Sequence, residues 1–314
     1  MNEAGGVATS LVIPAYNESA RLAAGYERLR DELDAMDPER TEVVVVDDGS
    51  RDDTLRVAHE VFGHLPHTRF VQQPVNRGKG AAVRLGIAVA IGERIITSDA
   101  DLSIRPRHFP EFLAALDACD VAPGSRVKEG SSAYESPLRT VAGKTFNLLV
   151  RHYTGTTFRD TQCGAKGFRL GPARVLGLLG FFDRFVFDAE MLYLAQKLGL
   201  IVCPVDVTWD DVAGSTVRVG RDSLQMIRDL RSIRRTRYEN PVVELAGDAD
   251  VTEVALHARQ ARLVGLALAR GANDTLVVLP RDGALGGASL ADQLGGRLRT
   301  TRPEELRGRT FEAV

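Results

Sequence analysis

Apolar positions follow two alternating rhythms through the first half of the chain. Short β-branched runs predict strands over residues 10–16, 42–48, 69–73, 94–99 and 120–123. Between them, apolar residues three or four apart predict helices over 20–36, 53–62, 80–91 and 106–116. Strand–helix alternation with short connections implies a mainly parallel, doubly wound sheet covered on both faces. Open sheets of this kind bind ligands beyond the C-terminal ends of their strands. Polar clusters fall at those ends: Asn17-Glu18, Asp47-Asp48, and Asp99 with Asp101.

The rhythm changes near Pro137. Helices are expected over 137–153, with Pro137 in the first turn, and over 186–198, stopped by Gly199. A strand is expected near 167–170. Another spans 201–209, where Pro204 argues for an edge or a bulge. Residues 221–237 read as a basic amphipathic helix. Leu224, Ile227, Leu230 and Ile233 recur along one face, and Arg221, Arg228, Arg231, Arg234, Arg235 and Arg237 outnumber Asp222 and Asp229. Such a helix rests on anionic lipid, or it docks on a neighbour with its arginines in water. Beyond Asn240-Pro241 a helix (251–270), a strand (275–279), a Gly-rich loop and a short helix near 290–294 suggest a small α/β appendage.

Three strand-end segments carry possible chemistry. Asp99 and Asp101 are spaced by two, so continued extended geometry would aim both carboxylates at one point. Close like charges call for a cation between them, and hard oxygen ligands suit Mg²⁺ or Mn²⁺. Asp47 and Asp48 can accept from a nucleobase and ribose, or form a turn and helix cap with Gly49-Ser50. Asn76-Arg77-Gly78-Lys79-Gly80 opens a helix where backbone N–H groups and a lysine favour phosphate, although it lacks the P-loop spacing.

Composition narrows the field. The chain has 314 residues, 44% hydrophobic and 26% charged, with a formal net charge of −2, and so carries no bulk field for nucleic acid. Cys119, Cys163 and Cys203 form no CxxC pair and suit a reducing compartment. With no leader-like N-terminus and no stretch of roughly 20 apolar residues, a cytoplasmic protein is expected, peripheral at most at the inner face of the cell membrane.

Ile13-Pro14-Ala15-Tyr16-Asn17-Glu18, Val46-Asp47-Asp48-Gly49-Ser50, Asn76 to Gly80 and Ser98-Asp99-Ala100-Asp101 stand in the order and spacing of the inverting family 2 glycosyltransferases. Gly124-Ser125-Arg126, Asp160 to Phe168 and Phe187 to Met191 further resemble the dolichyl- or polyprenyl-phosphate branch, especially the dolichyl-phosphate glucosyltransferase type. The resemblance covers roughly residues 10–237. It implies a GT-A-type nucleotide-sugar fold over 8–238, with a donor half (8–125), an acceptor half (126–238) and an appendage over 239–314.

By that resemblance Pro14, Ala15, Tyr16, Glu18, Asp47, Asp48, Lys79, Asp99, Ala100 and Gln162 would bind the nucleotide sugar. Asp99 and Asp101 would hold Mg²⁺ or Mn²⁺. Arg126 and Arg139 would receive an acceptor phosphate. Asp188 or Glu190 would orient the sugar or serve as base for a hydroxyl acceptor, and their spacing of two on a helix predicts one functional and one structural role. The expected reaction moves a hexose, glucose from UDP-glucose, onto polyprenyl phosphate. A saccharide or small-molecule hydroxyl acceptor and a non-catalytic nucleotide-sugar sensor are the alternatives. Many relatives continue into transmembrane helices where this chain has its tail.

Overall fold

The computed structural model describes residues 6–127, 137–210 and 221–236, and strands within 242–278. The chain divides into two compact units, Met1–Leu176 with Gly180–Thr236, and Arg237–Val314 with Gly177–Leu179.

The first unit is built on seven strands: β1 (Thr9–Ala15), β2 (Thr41–Asp47), β3 (Thr68–Gln72), β4 (Arg94–Thr97), β5 (Val121–Arg126), β6 (Lys166–Arg169) and β7 (Val205–Val207). Their spatial order is β3-β2-β1-β4-β6-β5-β7. β1 to β4 pair in parallel, as do β5 and β7, whereas β6 runs antiparallel between β4 and β5. Val43 to Val46 are essentially inaccessible, as a strand covered on both faces requires. The helices are α1 (Ser19–Ala35), α2 (Thr54–Phe62), α3 (Lys79–Val89), α4 (Phe109–Ala115), α5 (Pro137–Thr154), α6 (Leu170–Leu179), α7 (Phe187–Lys197) and α8 (Arg221–Ile233).

Elements of the first half lie within a few residues of their predicted bounds. Helix α6 was not expected, and Gly171-Pro172 lies in its first turn. Proline is nevertheless tolerated in a first helical turn, where its missing N–H has no partner to lose. The strand expected over 201–209 shrinks to β7, flanked by isolated bridges at Val202 and Trp209. Helix α8 packs on α5 with Leu230 and Ile233 fully buried, while Arg228, Arg231, Arg234 and Arg235 remain exposed.

Two expectations are corrected. The second unit contains an antiparallel sheet, β11-β10-β9-β8, formed by Val242–Ala246 (β8), Val251–Ala255 (β9), Gly265–Ala269 (β10) and Thr275–Val278 (β11). It replaces the helix expected over 251–270. Val251 and Val254 satisfied a helical spacing, but β-branched residues prefer extended backbone. The short helix near 290–294 lies outside the described residues. The second correction concerns the cysteines. Cys119 and Cys203, 84 residues apart, form a disulfide with Cα atoms 6.1 Å apart, and only Cys163 is free. The bond Cys203 N–H to Val121 O (2.9 Å) lays the two segments side by side, so sequence distance concealed the pair. Cysteine usage therefore gives no argument for a reducing compartment. Among the described residues, no helix is long and apolar enough to cross a membrane.

Candidate active site

Strands β1, β2 and β4 deliver their last residues to one edge of the sheet. Pro14 and Ala15 are buried in β1, and Tyr16 is half-buried just beyond it. Asn17 turns the chain with φ of 53°, and its side chain accepts from Arg51 N (2.9 Å) while its own N–H donates to Ser50 Oγ (2.9 Å). This pins the exit of β1 to the exit of β2.

The two carboxylates ending β2 are both engaged within the protein. Asp47 accepts from Ser50 N (3.0 Å) and Gln72 Nε2 (2.9 Å). Asp48 accepts from Gln73 Nε2 (2.9 Å), Arg77 N (2.8 Å), Asn76 Nδ2 (2.9 Å) and Gly78 N (2.8 Å). A carboxylate offers about four acceptor sites, so Asp48 is filled and Asp47 keeps capacity. Burial raises the Asp48 pKa, although the bonds from Arg77 and Gly78 oppose it. Asp48 thus shapes the turn that opens α3. Within that turn Gly78 sits at φ of 114°, and a Cβ there would strike Asp183 O.

Beyond β4, Asp99 Oδ1 meets Lys79 Nζ at 2.5 Å, which joins the first residue of α3 to the end of β4. Burial would lower the Lys79 pKa, but the charges of Asp99 and then Asp188 outweigh it and raise it above its ordinary 10.5. Burial likewise opposes ionisation of Asp99, yet Lys79 first, then Lys166 and Arg126, hold its carboxyl below the usual range. Gly164 packs against Asp99 so closely that any Cβ there would overlap its Oδ2. Ala100 is buried, and its carbonyl lies where a Cβ on Gly25 of α1 would be.

Asp101 Oδ1 accepts from Ser103 N (3.0 Å), while Oδ2 lies 3.4 Å from Arg21 Nη1. Arg21 also pairs with Glu18 at 2.5 Å. Glu18 Oε2 is buried without a hydrogen-bond partner. Burial raises the Glu18 pKa against the pull of Arg21, and the nearby charges of Asp101 and Asp99 reinforce the rise.

The residues after β5 divide. Arg126 commits Nε (2.6 Å) and Nη2 (3.0 Å) to Asp160 in a bidentate pair. Asp160 also accepts Gln162 N–H (3.0 Å), and the Gln162 side chain donates to Thr161 O at 3.4 Å. The Asp188 carboxylate binds Lys166 Nζ. Glu190, in contrast, is fully buried and accepts from Phe181 N (2.9 and 3.0 Å) and Phe182 N (3.0 Å). Asp188 thus pairs with a buried ammonium, and Glu190 pins a loop. Glu190 spends its carboxylate on the backbone of that loop. Arg139 lies on α5, with its side chain outside the described residues. Lys166, Gly164, Arg21 and Asp160 were missed as site residues. Asp160, Gly164 and Lys166 fall in the Asp160–Phe168 segment that carried the family resemblance, and Arg21 carried a local signal, its i+3 spacing from Glu18.

A divalent cation fits this donor set. Asp99 Oδ2 is a hard oxygen outside the Lys79 pair, Asp101 Oδ2 meets only the long 3.4 Å contact from Arg21, and the orphaned Glu18 Oε2 sits in the same field. Among the described residues, no three or more His, Cys, Asp or Glu side chains gather as a closed cage. Protein carboxylates with substrate phosphates completing the shell are the usual arrangement for Mg²⁺.

The strand order, the paired aspartates and the lysine at the start of α3 define a nucleotide-sugar transferase site, and the chain belongs to glycosyl transferase family 2, whose profile matches residues 10–177. Among similar proteins are the dolichyl-phosphate beta-glucosyltransferases of Trichomonas vaginalis and Homo sapiens. Each is 35% identical to this chain. The first aligns over 72% of this chain and 71% of its own length, the second over 72% and 74%. Glucosyl-3-phosphoglycerate synthase from Mycobacterium tuberculosis, solved with Mn²⁺, UDP and glucosyl-3-phosphoglycerate, superposes with a TM-score of 0.53 at 20% identity. That match covers 76% of this chain and 83% of the synthase. The fold is of the GT-A type.

Proposed function

We propose that the protein transfers glucose from UDP-glucose to a polyprenyl phosphate, with inversion at the anomeric carbon. Lys79 bonded to Asp99, with Asp101 two residues on, carries this reading, because it places a fixed cation and two metal-capable carboxylates where a diphosphate would leave. The naming of relatives 35% identical as dolichyl-phosphate beta-glucosyltransferases supports the donor sugar and the acceptor class.

Asp47, Tyr16 and Glu18 would bind the nucleoside, and Asp99 with Asp101 would hold Mg²⁺ or Mn²⁺. Such an ion, when bound, supplies Lewis-acid stabilisation of charge on the departing diphosphate. Lys79 adds a preorganised positive charge that needs no reorganisation during transfer. A lipid phosphate arrives already anionic, so attack requires cations for orientation more than a strong base. Arg126 and Arg139 are the proposed cations, with Arg126 held rigid by Asp160. Commitment of Glu190 to backbone N–H groups argues against one of the two candidate bases for a hydroxyl acceptor.

Membrane contact would be electrostatic. Leu230 and Ile233 of α8 are buried where the helix packs on α5, which leaves Arg228, Arg231, Arg234 and Arg235 to face anionic lipid. Sedimentation with anionic vesicles should capture the protein at low salt and release it as salt rises, with no capture by zwitterionic vesicles.

Radiolabelled UDP-glucose and undecaprenyl phosphate, incubated with the purified protein and Mn²⁺, should yield label in the organic phase. Absence of lipid-soluble label with any common sugar nucleotide would sink the acceptor assignment.

A further inference from the structure

Lys166 stands outside the strand-end pattern, because it begins a strand. β6 runs antiparallel to its neighbours, so its first residue reaches the edge where β4 and β5 end. Lys166 lies opposite Thr97, two residues before Asp99. Its side chain is about 2% exposed, and its ammonium donates to Asp188 Oδ1 and to Cys163 O.

These contacts close a ring. Lys166 holds Asp188, the second residue of α7. The preceding residue, Phe187, presents its ring 5.8 Å from Lys79 Nζ, and Lys79 binds Asp99. Gly80 tightens the ring, since any Cβ on it would overlap Phe187. Asp99 leads back along β4 to the register partner of Lys166. A buried ion pair is a poor source of stability, because apolar residues of similar volume serve as well or better. A full pair within this ring therefore indicates an electrostatic task.

We propose that Lys166 is a positioning residue for glycosyl transfer, fixing the Asp188 carboxylate and the start of α7 against the Lys79–Asp99 pair. It also balances the Asp188 charge, so that the diphosphate and an anionic acceptor meet no uncompensated carboxylate there. This rests on the transferase reading above.

The test uses the full chain with Lys166→Met, Lys166→Arg, Asp188→Asn and the Lys166→Met/Asp188→Asn double variant. Glu42→Gln is the control. Glu42 is buried at the far end of β2, where it binds Ser10 (2.6 Å) and Arg69 (3.2 Å). Readouts are kcat and KM for transfer, acceptor-free UDP release from UDP-glucose, calorimetric UDP affinity with Mn²⁺, and Tm. Lys166→Met should lower kcat by about 10–100-fold while the donor KM moves little, as loss of an orienting partner does. Lys166→Arg should recover part of that loss. The double variant should be no worse than Lys166→Met, because coupled residues are non-additive. Glu42→Gln should lower Tm and leave kcat unchanged.

A Lys166→Met enzyme within about twofold of wild-type kcat below its Tm, or additive losses in the double variant, would overturn the proposal. If Lys166→Met does not fold, Asp188→Asn carries the same decision, since it keeps shape and removes the charge. UDP release and UDP affinity report on the donor half alone, so a wrong acceptor assignment leaves those two readouts intact.

Discussion

At the scale of single residues, the site is a set of ion pairs that differ in purpose. Asp99 and Asp101 are the proposed metal-holding carboxylates, so Asp99→Asn and Asp101→Asn should each reduce kcat/KM on the order of 10²–10³-fold. Calorimetry should show a parallel loss of Mn²⁺-dependent UDP affinity. Asp160 works differently. Burial would raise its pKa, but the bidentate Arg126 outweighs that and lowers it. A carboxyl lowered on folding adds stability that is present above its unfolded value, and that stability is lost as pH falls through the folded one. Asp160→Asn should therefore cost about 1–2 kcal/mol at pH 7, discounted for the partly exposed arginine. The two urea midpoints should converge as pH falls below the ordinary carboxylate range.

At the scale of elements, the two acidic residues of α7 have different duties on different faces of the helix. Glu190 satisfies the N–H groups of Phe181 and Phe182, and Arg84 Nη1 donates to Phe182 O at 2.7 Å. Glu190→Ala should cost about 1–3 kcal/mol through unsatisfied backbone donors. A thermal scan should register that loss, while kcat of the folded enzyme stays within about threefold. Gly164 is an element-level constraint of another kind. The loop entering β6 approaches β4 only because residue 164 lacks a Cβ, so Gly164→Ala should displace the Asp99 carboxylate. The expected result is a loss of about tenfold or more in kcat/KM with a smaller effect on Tm. A far-ultraviolet spectrum like that of the wild type would show that the fold survives.

At the scale of the whole molecule, the disulfide clips together the two ends of the segment from Cys119 to Cys203. Cys119 precedes β5 and Cys203 precedes β7, so their bond closes a loop containing β6, α5 and α7. Reduction should lower stability by about 2–4 kcal/mol. Thiol titration of the denatured, unreduced chain should find one reactive cysteine, and titration after reduction should find three. In the native state the remaining thiol should stay unreactive, because burial pushes the Cys163 pKa up to about 11.

The sequence by itself determined whatever depends on near neighbours. The four valines of β2, the turn after Asp48 and the glycines opening α3 are local signals. They were enough to place Asp47, Asp48, Lys79, Asp99 and Asp101 at strand or helix ends and to indicate a family. Tertiary structure decided what depends on distant partners. The reversed direction of β6 puts Lys166 beside Thr97, and only that reversal makes Lys166 part of the site. Asp188 and Glu190 look alike in sequence, and their partners, a buried ammonium and two backbone N–H groups, separate them. Whether Leu230 and Ile233 of α8 meet lipid or protein was equally open until the packing of α8 on α5 buried them. A side chain's chemistry is set by the charges and donors that folding brings within a few ångströms, and those lie tens of residues away along the chain.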